Sequence, residues 1–384
     1  MIPIPDEPEK QIPADSLAVK LNDRLVSIDA LRGFAMFLLI AQGDIGGAQI
    51  LPAFFKLCNF TKTAAEQFTY ALWEGLNIVY IAMPLFLFVS GLTIPISLSK
   101  RLAQNQRDSK FYLHVIKRVL ILYLLGLIAG GHLFSLEFAH MQVYNNVLQY
   151  IGIGYLVCAI LVMNTTVRTQ FVLAAALLIL YWMLFLFVPV PGWHGDHFSS
   201  KMNLAIYIDS VVMGPFHRVG SCQLLRTINF ISNMLLGVLL GQLLNSNRDK
   251  RDKTILLFTS GLIMLSAGFI WGQFFPIIRP LWTSSYVLVT CGISTLLLAL
   301  FYLIIDVRGY SKWAFFFIVF GVNSIAVYMM AHMFDFKLIG NIFVGGLSKF
   351  LASKVQAFVE AIAAMTVIWL ILYWMYRKKT FIKV

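Results

Sequence analysis

Charge is what this chain has least of. Only 12% of its 384 residues are Asp, Glu, Lys or Arg, about half the share of an ordinary soluble domain, which excludes a soluble globule. Acid is scarcer than base, with 18 Asp and Glu against 30 Lys and Arg. A net charge of +12 could serve a polyanion, but the basic residues sit in short loops between apolar runs. That is how the positive-inside rule distributes charge, so no nucleic-acid partner is needed to explain it. Cysteine is rare too. Cys58, Cys158, Cys222 and Cys291 are scattered without metal-ligand spacing, and the seven histidines hold no such pair either, so no metal site is expected. Cys158 and Cys291 fall inside apolar runs; Cys58 and Cys222 are the two that are able to pair. The first 25 residues are polar and proline-containing, unlike a signal peptide. No internal repeat of the kind many transporters carry is visible.

What the chain has instead is apolar runs of roughly 17–25 residues, the length that crosses a bilayer. They fall near 27–47, 76–98, 111–131, 146–164, 169–190, 227–245, 254–274, 284–305, 313–334 and 355–376. The expected fold is therefore all-α: a polytopic membrane protein with about ten transmembrane helices. With both termini cytoplasmic, twenty of the thirty basic residues fall on the inner side, the bias the positive-inside rule asks for. Residues 1–24 form a cytoplasmic tail and residues 25–384 a single transmembrane domain. The bilayer is the partner this composition demands. The outer segments are unusual: 48–72 has an amphipathic run around Phe54–Phe60, and 191–226 holds an apolar stretch from Asn203 to Met213. The segment 335–354, with Gly340, Gly345 and Gly346, resembles an interfacial or re-entrant hairpin.

Polar residues inside such a chain carry the argument about function. Ser27-Ile28-Asp29-Ala30-Leu31-Arg32-Gly33 opens the first span. Asp29 and Arg32 are three apart, share a helix face and can pair. Each alone would cost roughly 2.5–3.5 kcal/mol at mid-bilayer. Two roles stay open: a structural pair that docks the helix, or the cytoplasmic mouth of a buried site. Trp73, Asn77, Gln149, Trp282, Ser284 and Asn323 also stand where apolar residues would be cheaper. Singly, intramembrane Asn and Gln more often hold helices together than bind substrate. Several at the outer ends of spans 2, 4, 8 and 9 tilt the reading toward a polar cavity. Six histidines (His132, His140, His194, His197, His217, His332) lie at or near the outer face, which puts any proton transfer near neutral pH there.

These stretches carry a resemblance. Arg24 to Gly33, Trp73 to Gly91, Val147-Leu148-Gln149, Leu281 to Tyr286 and Phe320 to Ser324 resemble the heparan-α-glucosaminide N-acetyltransferase family of transmembrane acyltransferases, particularly its bacterial members. The resemblance covers nearly the whole chain after residue 23. It implies a bundle of about ten spans in a bacterial cytoplasmic membrane that takes acetyl from cytoplasmic acetyl-CoA and delivers it to a sugar or glycan across the membrane. A homodimer is one assembly compatible with it.

The departures concern the chemistry. Tyr70 stands where the family usually has histidine, Tyr80 where it has an acidic residue, and Tyr150 where arginine follows Val-Leu-Gln. The Asp-Pro-Glu-Gly motif reads Gly220-Ser221-Cys222-Gln223. An unperturbed tyrosine titrates near 10 and is a poor base at neutral pH. The candidates for acid–base work are therefore His140 first and His332 second, then Tyr70 itself and the carboxylates Glu74 and Asp44. Arg32, Lys100, Arg101, Lys117 and Arg118 are the cations expected at the phosphates of CoA. Asp29, Trp73, Asn77, Gln149, Trp282, Ser284 and Asn323 are expected to line the substrate cavity. The alternative is a relative that has lost catalysis and binds or moves a glycan or lipid intermediate.

Overall fold

A computed structural model describes residues 25–43, 45–58, 67, 73–103, 109–131, 142–216 and 222–382. Among these the chain is helical, without strands. In order, α1 is Val26–Ala41, α2 Ile50–Leu57, α3 Ala82–Ala103, α4 Ser109–Ala129, α5 Val147–Asn164, α6 Val167–Phe187 and α7 Leu204–Met213. Then come α8 (Thr227–Leu244), α9 (Lys250–Trp271), α10 (Ser284–Phe301), α11 (Phe315–Val322), α12 (Ser324–Met333), α13 (Phe336–Ser348) and α14 (Ser353–Arg377).

Eight segments are long and apolar enough to cross a bilayer: Ile78–Ser99, α4, α5, α6, α8, α9, Ser284–Val307 and α14. Each lies within four residues of an apolar run read from the sequence. The protein is an integral, multi-pass membrane protein. Two of the ten expected spans differ. The ninth is broken: Lys312–Val322 and Ser324–Met333 meet at 64°, because Asn323 leaves the helical region (φ −118°, ψ 38°). The first is short. α1 has 16 residues, about 24 Å at 1.5 Å per residue, less than the ~30 Å hydrocarbon core. It stops at a turn closed by Gly43 at φ 92°, where a side chain would be strained.

The segment 335–354 is a helix rather than a hairpin. The Asp335 side chain accepts from the amides of Lys337 and Leu338 (2.9 and 3.3 Å) and so starts α13, which packs along α14. The apolar stretch after Asn203 forms α7, capped by Asn203 on the amide of Ile206 (3.0 Å).

The helices α3, α5, α8 and α10 make the centre of the bundle. Two thirds of the spanning window is buried for α3 and α8, but only 17% for α9 at the periphery. α3 and α8 cross on glycine: a Cβ on Gly91 would stand 2.1 Å from the carbonyl oxygen of Met234. α1 and α11 meet the same way. A Cβ on Gly33 would lie 1.7 Å from the Phe317 carbonyl oxygen, and one on Gly321 would lie 2.0 Å from that of Asp29. Small residues let backbones approach where no hydrophobic force separates helix from lipid. A smaller core of Tyr181, Phe185, Leu204, Phe275 and Leu281 sits under the 191–208 segment.

The start of α1 is held from far along the chain. Leu25 offers no capping side chain. Past α10 the helix widens into a π turn, Tyr302–Val307, and Asp306 on that turn accepts from the amide of Ser27 at 3.2 Å. Lys250 in turn donates to the Asp306 carbonyl (2.8 Å).

Candidate functional site

The break at Asn323 organises the site. Breaking a helix leaves carbonyls unpaired on one side and amides on the other. Arg32 answers the first: its Nε donates to the carbonyl oxygen of Gly321, in the last turn of α11, at 2.8 Å. Its Nη2 donates to Asp29 Oδ1, also at 2.8 Å. The pairing expected from the three-residue spacing is present, and Asp29 is buried. Arg32 therefore sits in the negative field of a helix C-terminus and beside a carboxylate, both of which favour the cation.

On the other side of the break the first turn of α12 opens into a cavity of about 90 Å³. It is lined by Arg32, Phe86, Ser90, Thr93, Arg118, Leu122, Leu148, Ile151, Tyr155, Ser324 and Ile325. Leu148 to Tyr155 is seven residues of α5, so the cavity runs about 10 Å along that helix. Its two cations come from different helices. The Arg118 guanidinium lies 4.2 Å from the centroid of Tyr155, a cation–π contact, and its buried Nε has no hydrogen-bond partner. Ser90 and Thr93 donate to carbonyls of their own helix, those of Phe86 (2.8 Å) and Ser90 (2.9 Å). The donors that remain for a guest are Arg118 and the first-turn amides of α12. A helix N-terminus beside an arginine is an anion site.

The end of the bundle where α5 and α8 begin is also polar. Asn146 caps α5 on the amide of Leu148 (3.0 Å). Gln149 Oε1 accepts from the amides of Asn145 and Asn146 (2.9 and 3.0 Å), and its Nε2 donates to the carbonyl of Val143 (2.9 Å). This is a capping box. Arg226, just before α8, donates from Nη2 to the Tyr150 hydroxyl (2.5 Å) and lies over the rings of Tyr150 and Phe230 at 5.0 and 5.4 Å. Its buried Nε has no partner. Tyr144 stacks edge-on against Tyr150 (4.9 Å) and shares a 2.8 Å hydrogen bond with Thr227. Burial pushes the Tyr144 phenol up from its ordinary value, so it stays neutral. Asp209 is buried and accepts from the amides of Gln223 and Leu224 (2.9 Å to the latter).

The structure separates residues that the sequence grouped together. Arg32 and Arg118 share the cavity; Lys117 is exposed and does not line it. The side chains of Lys100 and Arg101 lie outside the described residues, as do Tyr70, His140 and Asp44. Glu74 is exposed. Trp73 does not join Gln149: its Nε1 donates to the Phe198 carbonyl (2.9 Å) and its ring packs on the smaller core. Asn77 is buried at the head of the turn before α3. Ser284 donates to the carbonyl of Leu178 (2.7 Å). Trp282 is buried between Phe230 and Tyr286 (4.6 and 5.1 Å) at φ 56°, a strained conformation for a large residue, and its indole Nε1 has no partner. Asn323 accepts from the amide of Ile382 (3.3 Å), while its Nδ2 is unpartnered. His332 Nδ1 bonds the Tyr328 carbonyl (2.9 Å), and Tyr328 donates to Asn146 (3.1 Å), which ties His332 to the α5 cap.

All four cysteines are free thiols. Cys58 is exposed and Cys222 buried against Asn203, so the pairing left open by the sequence does not form. Sequence reasoning passed over Arg226, Asn229 and Asn233. These stand at i, i+3 and i+7 on one face of α8, and Asn229 Oδ1 and both side-chain atoms of Asn233 are buried without partners. The same spacing inside an apolar run was the available signal.

Comparison with known proteins now places the chain. Residues 24–213 match the family described as a domain of unknown function, DUF5009. Over 95% of its length the chain is 25% identical to the human (Homo sapiens) heparan-alpha-glucosaminide N-acetyltransferase, covering 60% of that protein. The mouse (Mus musculus) protein of the same name is likewise 25% identical over 94% of this chain and 61% of its own. Over nearly its whole length the chain is distantly similar to that acetyltransferase. It spans about three fifths of the length of these relatives. The departures from the family pattern acquire a spatial meaning. At Tyr150, where the family has arginine, a guanidinium arrives from Arg226 instead. At Tyr80, in place of an acid, Arg279 lies over the ring at 5.1 Å.

Proposed function

We propose that this protein is a membrane acetyltransferase. It accepts acetyl-CoA from the cytoplasmic side and passes the acetyl group to a sugar or glycan amine or hydroxyl at the outer face. The observation that carries the reading is the cavity at the helix break, where Arg118 stands with an unpartnered Nε beside Arg32 and the N-terminus of α12. Its chemistry fits an anionic co-substrate. Its size fits one phosphate group or the slender arm of CoA, not the nucleotide. Arg118 and the α12 amides would hold the phosphates, while the Phe86, Leu122 and Leu148 end of the cavity would take the apolar part of the arm. Bound there, acetyl-CoA supplies a thioester as acyl donor. Arg32, already paired with Asp29, fixes the geometry of the break rather than adding net charge. Discontinuous helices build sites this way in membrane transporters, with half-helix ends facing bound ions.

A second reading is a binding or transport protein for a glycan or lipid intermediate. It is favoured by the commitment of Gln149 to a capping box and by Tyr70 at the family's histidine position. Equilibrium binding of acetyl-CoA to the purified protein, followed by release of CoA with an amino-sugar acceptor, decides between them. Binding lost in Arg118→Gln, together with acceptor-dependent CoA release, supports the transferase. Binding without release selects the second reading, and no binding at all sinks the first. The orientation is checked by labelling a cysteine introduced at Ser199 from the outer face; labelling only after permeabilisation would reverse it.

A further inference from the structure

A groove of about 520 Å³ opens on the side of the bundle between α4, α5, α7 and α8, within the size range of ligand pockets. Its walls are Val143, Ile153, Val212, Met213, Phe216 and Leu224, with three hydroxyl-bearing residues, Tyr123, Tyr144 and Thr227, also in the lining. Lipid chains fill any apolar groove in a bilayer; its polar end makes this one different. Tyr123 donates to the carbonyl of Val143 (2.8 Å), and Tyr144 and Thr227 bond each other. Arg226 is not on the groove wall: it lies behind the Tyr144–Thr227 hydrogen bond, over the ring of Tyr150 that packs edge-on against Tyr144, so a headgroup reaches it by parting that bond.

Arg226 is a cation in search of an anion. It forms no ion pair with any described residue; its only hydrogen bond is to a phenol, and its Nε is buried without a partner. Asp209, the acid nearest in the chain, is committed to the amides of Gln223 and Leu224. A guanidinium is always charged, and one held at low dielectric without a counter-ion is costly unless something supplies the charge. Asn229, one helical turn further along the same face, offers an unpartnered Oδ1 to a hydroxyl or amine.

We propose that the acceptor is lipid-anchored and enters sideways from the bilayer: its chain lies in this groove and its phosphate is received by Arg226. The chemical class is an amphiphile with a long apolar tail and a phosphate-linked head. Calling it an acceptor rests on the transferase reading, but its binding does not.

The test uses the full chain purified in detergent and three probes: farnesyl phosphate, farnesol and glucosamine 6-phosphate. Farnesyl phosphate should bind; farnesol, lacking the anion, should bind about ten- to hundredfold more weakly, the difference a charge-assisted contact makes. Glucosamine 6-phosphate, lacking the tail, should not displace it. Arg226→Gln should weaken farnesyl phosphate by a similar factor. Val212→Trp, at a wall residue 68% exposed, should block the groove while leaving Arg226 in place. An unchanged size-exclusion profile and melting temperature show that each variant is folded, and CoA binding, measured separately, distinguishes failure here from failure of the transferase reading. If Arg226→Gln does not fold, the farnesol comparison and Val212→Trp decide alone. Equal affinity for farnesol overturns the proposal, as does no binding of farnesyl phosphate. Displacement by glucosamine 6-phosphate with no effect of Val212→Trp assigns Arg226 to a soluble anion and overturns it too.

Discussion

Remove the Arg32 guanidinium with Arg32→Met and two groups lose their partner. The buried Asp29 carboxylate loses its 2.8 Å ion pair, and the Gly321 carbonyl at the end of α11 loses its 2.8 Å donor. Breaking a buried pair from one side costs roughly 3–5 kcal/mol, because the remaining group loses this counter-charge. Asp29→Leu with Arg32→Met removes both charges. What then remains is the unpaired Gly321 carbonyl, about 1–3 kcal/mol. The carbonyl loss is common to both variants, so the double variant should be more stable than the single one by about 3 kcal/mol, the low end of the pair cost, visible as a melting temperature several degrees higher when tryptophan fluorescence is followed in detergent. The comparison is internal, so detergent and lipid effects cancel between the two. A double variant that melts at or below the single one would refute the reasoning, since the charges would then not be what the pair exists to balance.

Three further outcomes follow from contacts already described. Gly33→Ala drives a methyl group to 1.7 Å from the Phe317 carbonyl oxygen, so the α1–α11 crossing must open. The cost should reach or exceed the ~3 kcal/mol end of overpacking and show as loss of monodisperse protein on size exclusion, whereas Gly346→Ala, with nothing within 4 Å, should be neutral or better. Gln149→Ala removes the capping box and should cost about 1–2 kcal/mol of stability with acetyl-CoA affinity unchanged; a large affinity loss at unchanged stability would return Gln149 to the binding site. Burial pushes the Cys222 thiol up to about 12, so at pH 8 its thiolate fraction is on the order of 10⁻⁴ and rises tenfold per pH unit. Maleimide at pH 8 should label exposed Cys58 and spare Cys222 until the protein is denatured, as read by mass spectrometry.

Much of the fold was legible because bilayer-length apolar runs announce themselves. The two spans that differ were hidden by local backbone events: a turn at Gly43 and a break at Asn323, neither of which alters hydropathy. Asp29 and Arg32 were legible as a pair because i, i+3 spacing fixes geometry within one helix. Their engagement of Gly321, 289 residues on from Arg32, was not, since no local rule reaches that far. Gln149 has a capping role that the sequence reading did not assign. An N3 glutamine and a substrate-binding glutamine are the same letter, and only the helix start just before it, at Asn146, tells them apart. Arg226 was counted as an outer loop charge, because burial of a residue beside a helix start depends on what packs over it, here Tyr150 and Phe230.

The cap that Asp306 places on the first helix has a consequence for how the protein is made. Ser27 leaves the ribosome 279 residues before the carboxylate that receives its amide. At synthesis rates of about 5–20 residues per second, that interval is roughly 15–55 s. The Gly321 carbonyl that engages Arg32 emerges later still. Throughout that wait α1 is a 16-residue segment with an uncapped start, a charge pair inside it and a length too short to hold a membrane-spanning position by hydrophobicity alone. The insertion machinery must therefore shelter the first helix, or let it idle at the membrane surface, until the C-terminal third arrives to dock it. Variants that weaken Asp306 would then be read by cellular quality control as an unfinished N-terminus rather than as a defect in the tenth helix.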